Sequence, residues 1–384
     1  MDERGARIAL YGHDTMGLGH LRRNLALASA LCADQGGPGP QVLLVSGAAE
    51  AGRFPLPDGV DLLVLPSVAK GADGGYRARR WDLPLDDVVR MRSEILAAGL
   101  PAFAPDLLVV DKVARGFAGD LEAALPRLRA AGTRTVLGLR DVLDTPAVAA
   151  TEWRRDRTTE IVREHYDAVW VYGDPRVADP VGDLRLPPSV RRMVRHTGYL
   201  APRHRPAATA RPVPGPYSLC LLGGGEDGEA LARAYAAAPH TAGVTPVVVA
   251  GPYLPGRTRD LLHAAPGLHV VDFCEDPARW VAGASAVVAM GGYNTVVELL
   301  GTDTPALIVP RAVPRAEQVV RARRLSELGA VDDADPADLS PALLGRWLAG
   351  AIGTRTPRDG LDLDGLARVP ALAAELVAEA RRAA

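Results

Sequence analysis

A glycine-rich turn that ends in a histidine lies near the start of the chain. Residues 15–20 read TMGLGH, and they separate an apolar run at 7–11 from a helical pattern that begins at Leu21. Glycine lets a ligand approach the backbone closely, and the start of a helix favours negative charge nearby. A neutral imidazole at this position suits a general base near pH 7. His20 is therefore a candidate base, and a histidine that only caps or packs the helix start fits the pattern equally well.

Gly17 and Gly19 also fit the beginning of the dinucleotide-binding fingerprint. The rest of that fingerprint is missing, because Arg22 takes the place of its third glycine. The second predicted strand ends at Ser46, without the acidic residue that would hold a ribose. The sequence therefore disfavours an enzyme that uses a nicotinamide cofactor.

A second glycine-containing turn, in residues 287–298, reads VVAMGGYNTVVE. Its apolar strand runs into two glycines and then into a helix, whose first N–H groups can hold a phosphate with help from the Thr295 hydroxyl. The carboxylate of Glu298 can accept hydrogen bonds from two adjacent ribose hydroxyls. Alternatively, Asn294 and Thr295 cap the helix and Glu298 compensates its dipole. The candidate residues of this segment are Gly291, Gly292, Asn294, Thr295 and Glu298.

Two further segments carry weaker signals. Gly223, Gly224 and Gly225 follow a predicted strand, and bare amides in such a turn can meet phosphate or sugar oxygens. A tight turn without a ligand has the same sequence.

Glu317 and Gln318 open a helix after a proline-containing loop, where a carboxylate and an amide can bind sugar hydroxyls. Two solvated residues at a helix start are the plainer interpretation of that pair.

Charged side chains stand at the ends of several predicted strands in the N-terminal half. The carboxyl ends of parallel strands meet at one edge of a sheet, where open α/β folds bind ligands. These side chains are therefore candidates for contact with an acceptor or for a partner of His20, and ion pairs that fix loops are the alternative. They are His13, Asp14, Asp111, Lys112, Arg140 and Asp141.

The elements that must position these residues alternate between short apolar runs and helical patterns. Most of the apolar runs are continuous, as expected for parallel strands buried on both faces. Strand and helix repeated in this way predict an α/β fold with doubly wound sheets. Strands are predicted at 7–11, 41–46, 61–66, 107–111, 135–140, 168–173, 196–200, 218–222, 246–251, 268–273, 286–290 and 305–310. Helical segments are predicted between several strands of the first half, for example at 21–32, 120–131 and 152–165.

A proline- and arginine-rich stretch, 201–218, interrupts the alternation, which then starts again. This break predicts two Rossmann-like domains that face a cleft and are joined by a linker. The expected divisions are an N-terminal domain at 1–200, a linker at 201–216, a second domain at 217–355, and a C-terminal loop and helix at 356–384 that could pack back on the first domain.

A long glycine-rich loop spans residues 66–84. Long loops in compact domains usually serve a function or are disordered. The sequence is compatible with a mobile flap over the cleft and with a solvated loop.

The composition is that of a soluble globular protein. Of its 384 residues 48% are hydrophobic and 23% are charged, and its net charge is -2. This balance argues against a nucleic-acid-binding surface. No apolar run approaches the ~18 residues of a membrane span, and no secretory signal is evident. With three scattered cysteines, the sequence predicts a cytoplasmic protein without a transmembrane segment.

A metal site is not expected. Asp362 and Asp364 imitate an Asp-x-Asp metal motif, but they lie in a C-terminal loop and do not follow a nucleotide-binding strand. No group of histidines and cysteines has the spacing of metal ligands.

The glycine turns and the Glu317–Gln318 pair recur in order at strand ends of two α/β units. In this order they resemble the GT-B glycosyltransferases, and within them the MurG-like group of family 28, which transfers N-acetylglucosamine to a lipid-linked acceptor in cell-wall synthesis. The stretches YGHDTMGLGHLRRN, VVDKVARG and LGLRDVLDTP are also similar to a bacterial group of predicted glycosyltransferases. The resemblance implies an acceptor in the N-terminal domain and a nucleotide sugar in the C-terminal domain.

The resemblance also implies roles for single residues. His20 would be the acceptor base, Thr295 would contact phosphate, and Glu298 would bind the ribose. Phe273 would lie beside the nucleobase, and Glu317 with Gln318 would contact the donor sugar. The family has paired glutamines at the last two positions, so Glu317 is a departure that bears on the identity of the sugar.

Taken together, these features predict an inverting, metal-independent glycosyltransferase. Its donor is expected to be a nucleotide sugar, UDP-linked and used as co-substrate, and no other cofactor is implied. A small molecule is the expected acceptor, because the membrane-facing apolar patch that serves a lipid acceptor is not evident. The alternatives are a nucleotide-sugar 2-epimerase or hydrolase of the same fold, and a non-catalytic protein that binds nucleotide or a partner.

Overall fold

Two parallel β-sheets organise the chain. The computed structural model describes residues 5–13, 18–33, 39–70, 75–202, 212–225, 227–313 and 315–383. Across these ranges, a seven-stranded sheet belongs to the N-terminal half and a six-stranded sheet to the C-terminal half, and a separate two-stranded hairpin accompanies the first.

The N-terminal half alternates strands and helices as an α/β unit. Its strands are β1 (Arg7–Gly12), β2 (Gln41–Ser46), β3 (Val60–Val64), β4 (Val68–Lys70), β5 (Tyr76–Ala78), β6 (Leu107–Asp111), β7 (Arg134–Arg140), β8 (Ala168–Tyr172) and β9 (Val194–His196). Its helices are α1 (Gly19–Cys32), α2 (Leu85–Phe103), α3 (Leu125–Ala130), α4 (Pro146–Arg155), α5 (Thr158–His165), α6 (Pro180–Asp183) and α7 (Pro188–Arg191).

The C-terminal half repeats this alternation. Its strands are β10 (Tyr217–Leu221), β11 (Thr245–Val249), β12 (His269–Val271), β13 (Ala286–Ala289), β14 (Ala306–Ile308) and β15 (Asp332–Asp333). Its helices are α8 (Glu229–Ala236), α9 (Gly256–His263), α10 (Pro277–Gly283), α11 (Tyr293–Leu300), α12 (Glu317–Glu327), α13 (Pro341–Ala351) and α14 (Gly365–Ala383).

Strand order defines one ligand-binding edge in each sheet. The first sheet runs β3-β2-β1-β6-β7-β8-β9, and the second runs β12-β11-β10-β13-β14-β15, with every neighbouring pair parallel. The order reverses between β1 and β6 in the first sheet, and between β10 and β13 in the second. Doubly wound sheets bind ligands outside the carboxyl ends of the strands at such a switch point. The α/β fold class predicted from the sequence is confirmed.

The continuous apolar strands explain why both sheets are covered on both faces. β6, β8 and β10 each consist of five buried residues, so helices must pack on each side of them. One hydrophobic core runs through both halves, because Leu21 of α1, Tyr199 and Tyr293 belong to the same cluster of buried side chains.

The last helix returns to the N-terminal half. α14 packs against α1, β6 and β7, and Arg381 donates hydrogen bonds to the Gly5 carbonyl and to Asp106. The limits of the domains themselves stay a prediction, and residues 203–211 of the expected linker lie outside the described residues.

Several predicted elements differ from those in the structure. The helix predicted at 152–165 is two helices, because Arg157 adopts a left-handed conformation with φ of 49° between α4 and α5. Instead of an irregular loop, 66–84 contains the antiparallel pair β4 and β5, each only three residues long, and its residues 71–74 lie outside the described part. The long helix α2 was not predicted, and β9 lies at Val194–His196 instead of 196–200.

Candidate active site

His20 and Asp111 lie on the two sides of the N-terminal switch point. His20 is in the first turn of α1, which follows β1, and Asp111 is the last residue of β6. The two side chains are in contact, with His20 Nδ1 2.9 Å from Asp111 Oδ2. The topology therefore brings together two residues that are 91 positions apart in the chain.

Arg23 fixes the ionisation of Asp111. Burial alone would raise the pKa of this carboxyl, but the charges and hydrogen bonds of Arg23 and His20 hold its pKa well below the usual range. An ionised carboxylate only accepts hydrogen bonds, so His20 Nδ1 must donate to it. Arg23 Nη2 also lies 3.0 Å from His20 Nδ1, because both groups converge on Asp111 Oδ2. A neutral His20 consequently carries its basic lone pair on Nε2.

His13 packs against the ring of His20. The two ring centroids are 4.2 Å apart and the rings are tilted by 58°. Burial of the His13 ring lowers its pKa well below the ordinary value, and the nearby charges of His20 and Lys112 act in the same direction. His13 is therefore neutral at pH 7 and does not place a positive charge beside the His20 ring.

Two glycine-containing turns meet at the C-terminal switch point. One follows β10 and contains Gly223, and the other follows β13 and leads into α11. A Cβ atom on Gly223 would lie 3.4 Å from Thr295 Oγ1, so the two turns are in direct proximity. Gly292 is the N-cap residue of α11 and no side chain of the described residues caps the helix, which corrects the alternative that Asn294 and Thr295 are caps. The first N–H groups of α11 thus have no side-chain acceptor of the capping type.

The turn at 223–225 depends on glycine for its conformation. Gly223 and Gly225 have φ of 61° and 88°. A Cβ atom on Gly225 would lie 2.5 Å from the carbonyl oxygen of Ala250, in the segment that follows β11. Gly225 is thus buried against this segment, whereas Gly223 and Gly224 are exposed.

Glu298 is held in a poorly hydrated position on α11. Its Oε1 lies 3.5 Å from Arg22 Nη1 of the N-terminal half, and Arg22 also donates to the carbonyl of Cys274 at 2.8 Å. Burial raises the pKa of Glu298 to about 7; the Arg22 charge opposes this and the Asp276 charge adds to it. The side chain is thus a hydrogen-bond acceptor whose charge changes near neutral pH.

This raised pKa predicts a pH-dependent difference in stability for Glu298→Gln. The folded protein keeps the proton up to about pH 7, whereas the unfolded chain loses it near pH 4.5, so the wild type loses stability between these values. Glutamine stays neutral, and we expect the variant to match the wild type near pH 4.5 and to exceed it above pH 7 by up to about 3 kcal/mol. Urea unfolding at a series of pH values measures the difference.

Glu327→Gln, which changes an exposed glutamate on α12, is the matched control for the loss of a carboxylate that is not buried. A stability difference for Glu298→Gln that does not vary with pH would contradict the raised pKa of Glu298.

Glu317 and Gln318 are both buried at the start of α12. Gln318 Oε1 accepts hydrogen bonds from the backbone N–H groups of Gly291 and Arg311, each at 3.1 Å, so its amide oxygen braces the Gly291 turn. Glu317 Oε1 accepts from Arg311 at 2.7 Å, and its Oε2 is buried without a partner within the described ranges. Glu317 therefore keeps one acceptor oxygen for a ligand.

These parts line one cavity of about 290 Å³ between the two halves. Asn294 of α11 closes one side by donating a hydrogen bond to the Gly19 carbonyl at 2.9 Å. Phe273 forms another part of the wall, is 43% exposed, and packs edge-on against Phe54. The predicted residues on this wall are Gly19, His20, Arg140, Gly223, Gly224, Gly225, Phe273, Gly292, Asn294, Thr295, Glu298, Glu317 and Gln318.

Other predicted residues lie behind the wall. His13 and Asp111 support His20, and Gly291 is held by Gln318. Asp141 does not reach the cavity, because its carboxylate is fully buried against Arg321 of α12 and the Tyr199 hydroxyl. For Asp141 the structure thus agrees with the alternative stated above, an ion pair in place of a ligand contact. Lys112 is not on the wall, and Asp14 and Gly17 lie outside the described residues.

Sequence reasoning missed Arg23, Tyr293 and Arg321, which hold this region together. The guanidinium groups of Arg23 and Arg321 both lie over the Tyr293 ring, at 5.4 Å and 5.8 Å from its centroid. The only local signal for Arg23 is its place three residues after His20, on the same side of a helix. Nothing in the sequence around Arg321 distinguishes it from a solvated arginine.

Known structures share this architecture over nearly the whole chain. The calicheamicin glycosyltransferase CalG4 matches with a TM-score of 0.61 and 17% identity, covering 98% of both chains. MurG from Acinetobacter baumannii matches with a TM-score of 0.54 and 16% identity, covering 98% of this chain and 95% of that one. The chain has the GT-B fold. A protein from Listeria monocytogenes described as a UDP-N-acetylglucosamine 2-epimerase also matches this GT-B chain, with a TM-score of 0.59, 12% identity and 97% coverage of both.

In sequence, the GT-B chain is similar to curated MurG proteins, whose full name is UDP-N-acetylglucosamine--N-acetylmuramyl-(pentapeptide) pyrophosphoryl-undecaprenol N-acetylglucosamine transferase. The protein from Mycolicibacterium paratuberculosis is 30% identical over 138 residues, which is 35% of this chain and 34% of that protein. The match thus spans about a third of that relative. The protein from Solidesulfovibrio magneticus is 26% identical over 352 residues, 87% of this chain and 86% of that protein. No protein-family model matches the chain.

Among the helices of the described residues, none is long and apolar enough to span a membrane.

Proposed function

We propose that the protein is an inverting, metal-independent glycosyltransferase that moves a sugar from a nucleotide sugar, UDP-linked, to a small-molecule acceptor. The C-terminal half binds the donor, and the N-terminal half binds the acceptor and supplies His20 as the general base. The GT-B fold and the sequence similarity to MurG support the reaction class.

One observation carries the proposal. The glycine turns that flank the C-terminal switch point and the His20–Asp111 pair that flanks the N-terminal one face each other across a single cavity. Each switch point is where its sheet would bind a ligand, so the two ligands would meet between the halves. A two-substrate transfer needs this arrangement, whereas a protein that only binds nucleotide does not need the histidine dyad.

The uncapped start of α11 suits the diphosphate of the donor. Its N–H groups and the Thr295 hydroxyl, next to the bare backbone of Gly223, form a cradle of uncharged donors. Such preorganised donors stabilise the charge that develops on a departing phosphate, which is the task a metal ion performs in other enzymes. Glu298 would accept hydrogen bonds from the ribose, and Phe273 would cover the base.

His20 is arranged to take the proton of the acceptor. Asp111 accepts from Nδ1, so the ring orientation is fixed and Nε2 carries the basic lone pair. In the proposed step the acceptor oxygen or nitrogen forms a bond to the anomeric carbon as the bond from that carbon to the phosphate oxygen breaks. The electron pair of the broken bond leaves on the nucleoside diphosphate, and the acceptor proton goes to Nε2.

A nucleotide-sugar 2-epimerase is the second candidate, favoured by the buried carboxylate oxygen of Glu317 that has no described partner. Epimerisation needs a group that removes and returns a proton at the sugar, and a carboxylate can do this. The two reactions are separated by incubating the protein with UDP-N-acetylglucosamine alone. If an epimer or free sugar forms without an acceptor, at a rate typical of enzyme turnover, the result favours the epimerase or a hydrolase over the transferase.

Nucleotide binding is the direct test of the donor site. We expect UDP to raise the melting temperature more than dTDP, GDP or ADP at equal concentration, because a ligand that binds only the folded state stabilises it. At 100 times its dissociation constant, UDP would add about 2.7 kcal/mol. Differential scanning fluorimetry with magnesium chelated gives the shifts.

Thr295→Val tests the cradle itself, since it removes one hydroxyl and nearly preserves shape. We expect a weaker UDP shift in this variant. Thr354→Val, three residues after α13 and outside the cavity wall, is the matched control and should keep the wild-type shift. Equal UDP shifts in all three proteins would remove Thr295 from the site, and no shift with any nucleotide would contradict the donor site as a whole.

A further inference from the structure

Two cationic side chains stand at the carboxyl ends of neighbouring strands in the N-terminal sheet. Arg140 is the last residue of β7, and Lys112 directly follows β6. The two strands are paired in parallel, and the Lys112 N–H donates to the Gly138 carbonyl at 2.7 Å. Lys112 has a φ of 69°, a left-handed conformation that is unfavourable for a lysine. Sheet geometry thus brings both cations to the edge where His20 and Asp111 also lie.

Neither cation is neutralised by direct contact. Over the part of the chain that the structure describes, Lys112 and Arg140 donate no side-chain hydrogen bond and have no carboxylate within ion-pair distance, and Arg140 Nε is buried without a partner. Nearby arginines are all paired: Arg23 with Asp111, Arg321 with Asp141, Arg311 with Glu317, and Arg315 with Asp144 and Glu152. Each of these carboxylates is thus already paired with another arginine, although Asp111 Oδ1 and Glu317 Oε2 have no hydrogen-bond partner among the described residues.

The surroundings make this cation pair energetically unfavourable without a counter-ion. Burial, together with the charges of Arg140 and Arg315, lowers the pKa of Lys112 to about 7. Burial likewise lowers the pKa of Arg140 to about 10, together with the charges of Arg23 and Arg321. The negative charges of Glu152, Glu317 and Asp111 act on the pair only from a distance. An anion bound between the two side chains would stabilise the charged forms of Lys112 and Arg140 and so raise both pKa values again.

The position of the pair assigns it to the acceptor side. Arg140 is part of the cavity wall with His20, and the charge of Lys112 acts on His13, which packs against His20. The proposed diphosphate cradle belongs to the other half, at α11 and the Gly223 turn. We propose that Arg140, which lines the cavity, and Lys112, which lies outside its wall at the end of the neighbouring strand, form an anion site on the acceptor side, and that the acceptor carries a carboxylate or phosphate group that binds there. The identity of the ligand as acceptor rests on the proposed function.

Inorganic phosphate is the probe, added at constant ionic strength to protein already saturated with UDP. In the wild type we expect a further rise in melting temperature, and we expect Arg140→Met and Lys112→Met to lose that rise while they keep the UDP shift. Because each substitution removes a partly buried cation that has no ion-pair partner in the described part of the chain, both variants should also melt higher than the wild type in phosphate-free buffer, by roughly 2 °C. A variant that melts higher than the wild type without phosphate, but gains nothing when phosphate is added, has lost the anion site. A variant that merely folds less well would melt lower than the wild type in both buffers.

Lys70→Met and Arg129→Met are the matched controls, because they remove a lysine and an exposed arginine at other positions. Both should keep the phosphate effect. Glucose 6-phosphate and glucuronate, each compared with glucose, then show which anionic group is preferred. A larger shift with either one than with glucose supports the site.

Three results would overturn the proposal. Phosphate could add nothing to the UDP-bound wild type, its effect could persist in both variants, or the variants could lose UDP binding in proportion, which would assign the cations to the donor phosphates. If UDP itself does not bind but phosphate alone stabilises the wild type and not the variants, the anion site stands and the proposed function fails.

Discussion

His20→Ala is expected to lower the transfer rate by about 10²- to 10⁴-fold, the usual contribution of a general base, and to leave the affinity for UDP unchanged. The His20 ring touches Asp111 and lines the cavity, whereas the proposed UDP contacts belong to the other half of the protein. The rate is measured as UDP released from the nucleotide sugar that the wild type uses fastest, and UDP affinity by calorimetry. A fall in both quantities would mean that His20 contributes to donor binding.

The pH dependence of the rate distinguishes a base from a structural histidine. If His20 accepts the acceptor proton, the acidic limb of the wild-type pH–rate profile belongs to its titration and should be absent in His20→Ala. Asp111→Asn should retain the ring but lose the charge that fixes its tautomer, so we expect a lower rate with normal UDP affinity. His263→Ala, an exposed histidine paired with Asp272, should behave as the wild type. A rate for His20→Ala within tenfold of the wild type would contradict the role of base.

The sequence was sufficient for the parts of the fold and site that depend on local patterns. Continuous apolar runs such as LLVVD at 107–111 and AVWVY at 168–172 are the strands β6 and β8. The glycine turns that end β10 and β13 lie on the cavity wall with His20. These features are readable because burial on both faces and a turn beside a helix start each impose a residue pattern on a short segment.

Long-range pairing could not be predicted in the same way. Asp141 was grouped with Asp111 and Lys112 because all three end a strand, yet only Asp111 contacts His20. Asp141 instead pairs with Arg321, which lies 180 positions away on a helix with many arginines. The order of the strands tells which strand ends are neighbours in a sheet. The partner of Asp141, in contrast, comes from the C-terminal half and depends on how the two halves pack together. That the side chains of Arg140 and Lys112 have no ion-pair partner among the described residues is equally invisible in the sequence.

Arg321→Met is expected to cost about 3–5 kcal/mol of stability, since it leaves a buried charge without its partner. Both side chains of the Asp141–Arg321 pair have 0% exposure, and Arg321 also donates to the Gly291 carbonyl at 2.9 Å. The variant should therefore weaken UDP binding too, because the Gly291 turn loses a support. Urea unfolding and UDP titration measure the two effects. The double variant Asp141→Leu/Arg321→Met should recover part of the stability, as no charge is then left unpaired.

The Arg92–Asp120 pair provides the comparison that separates docking of the halves from burial of charge. It has the same 0% exposure of both side chains, and the Tyr11 hydroxyl supports it, but all three residues belong to the N-terminal half. Arg92→Met should lose a similar amount of stability and keep the UDP affinity of the remaining folded protein. If Arg92→Met weakened UDP binding as much as Arg321→Met, the effect on the nucleotide would come from general destabilisation. A loss of UDP affinity confined to Arg321→Met would show that the buried pair between the halves keeps the donor turn in place.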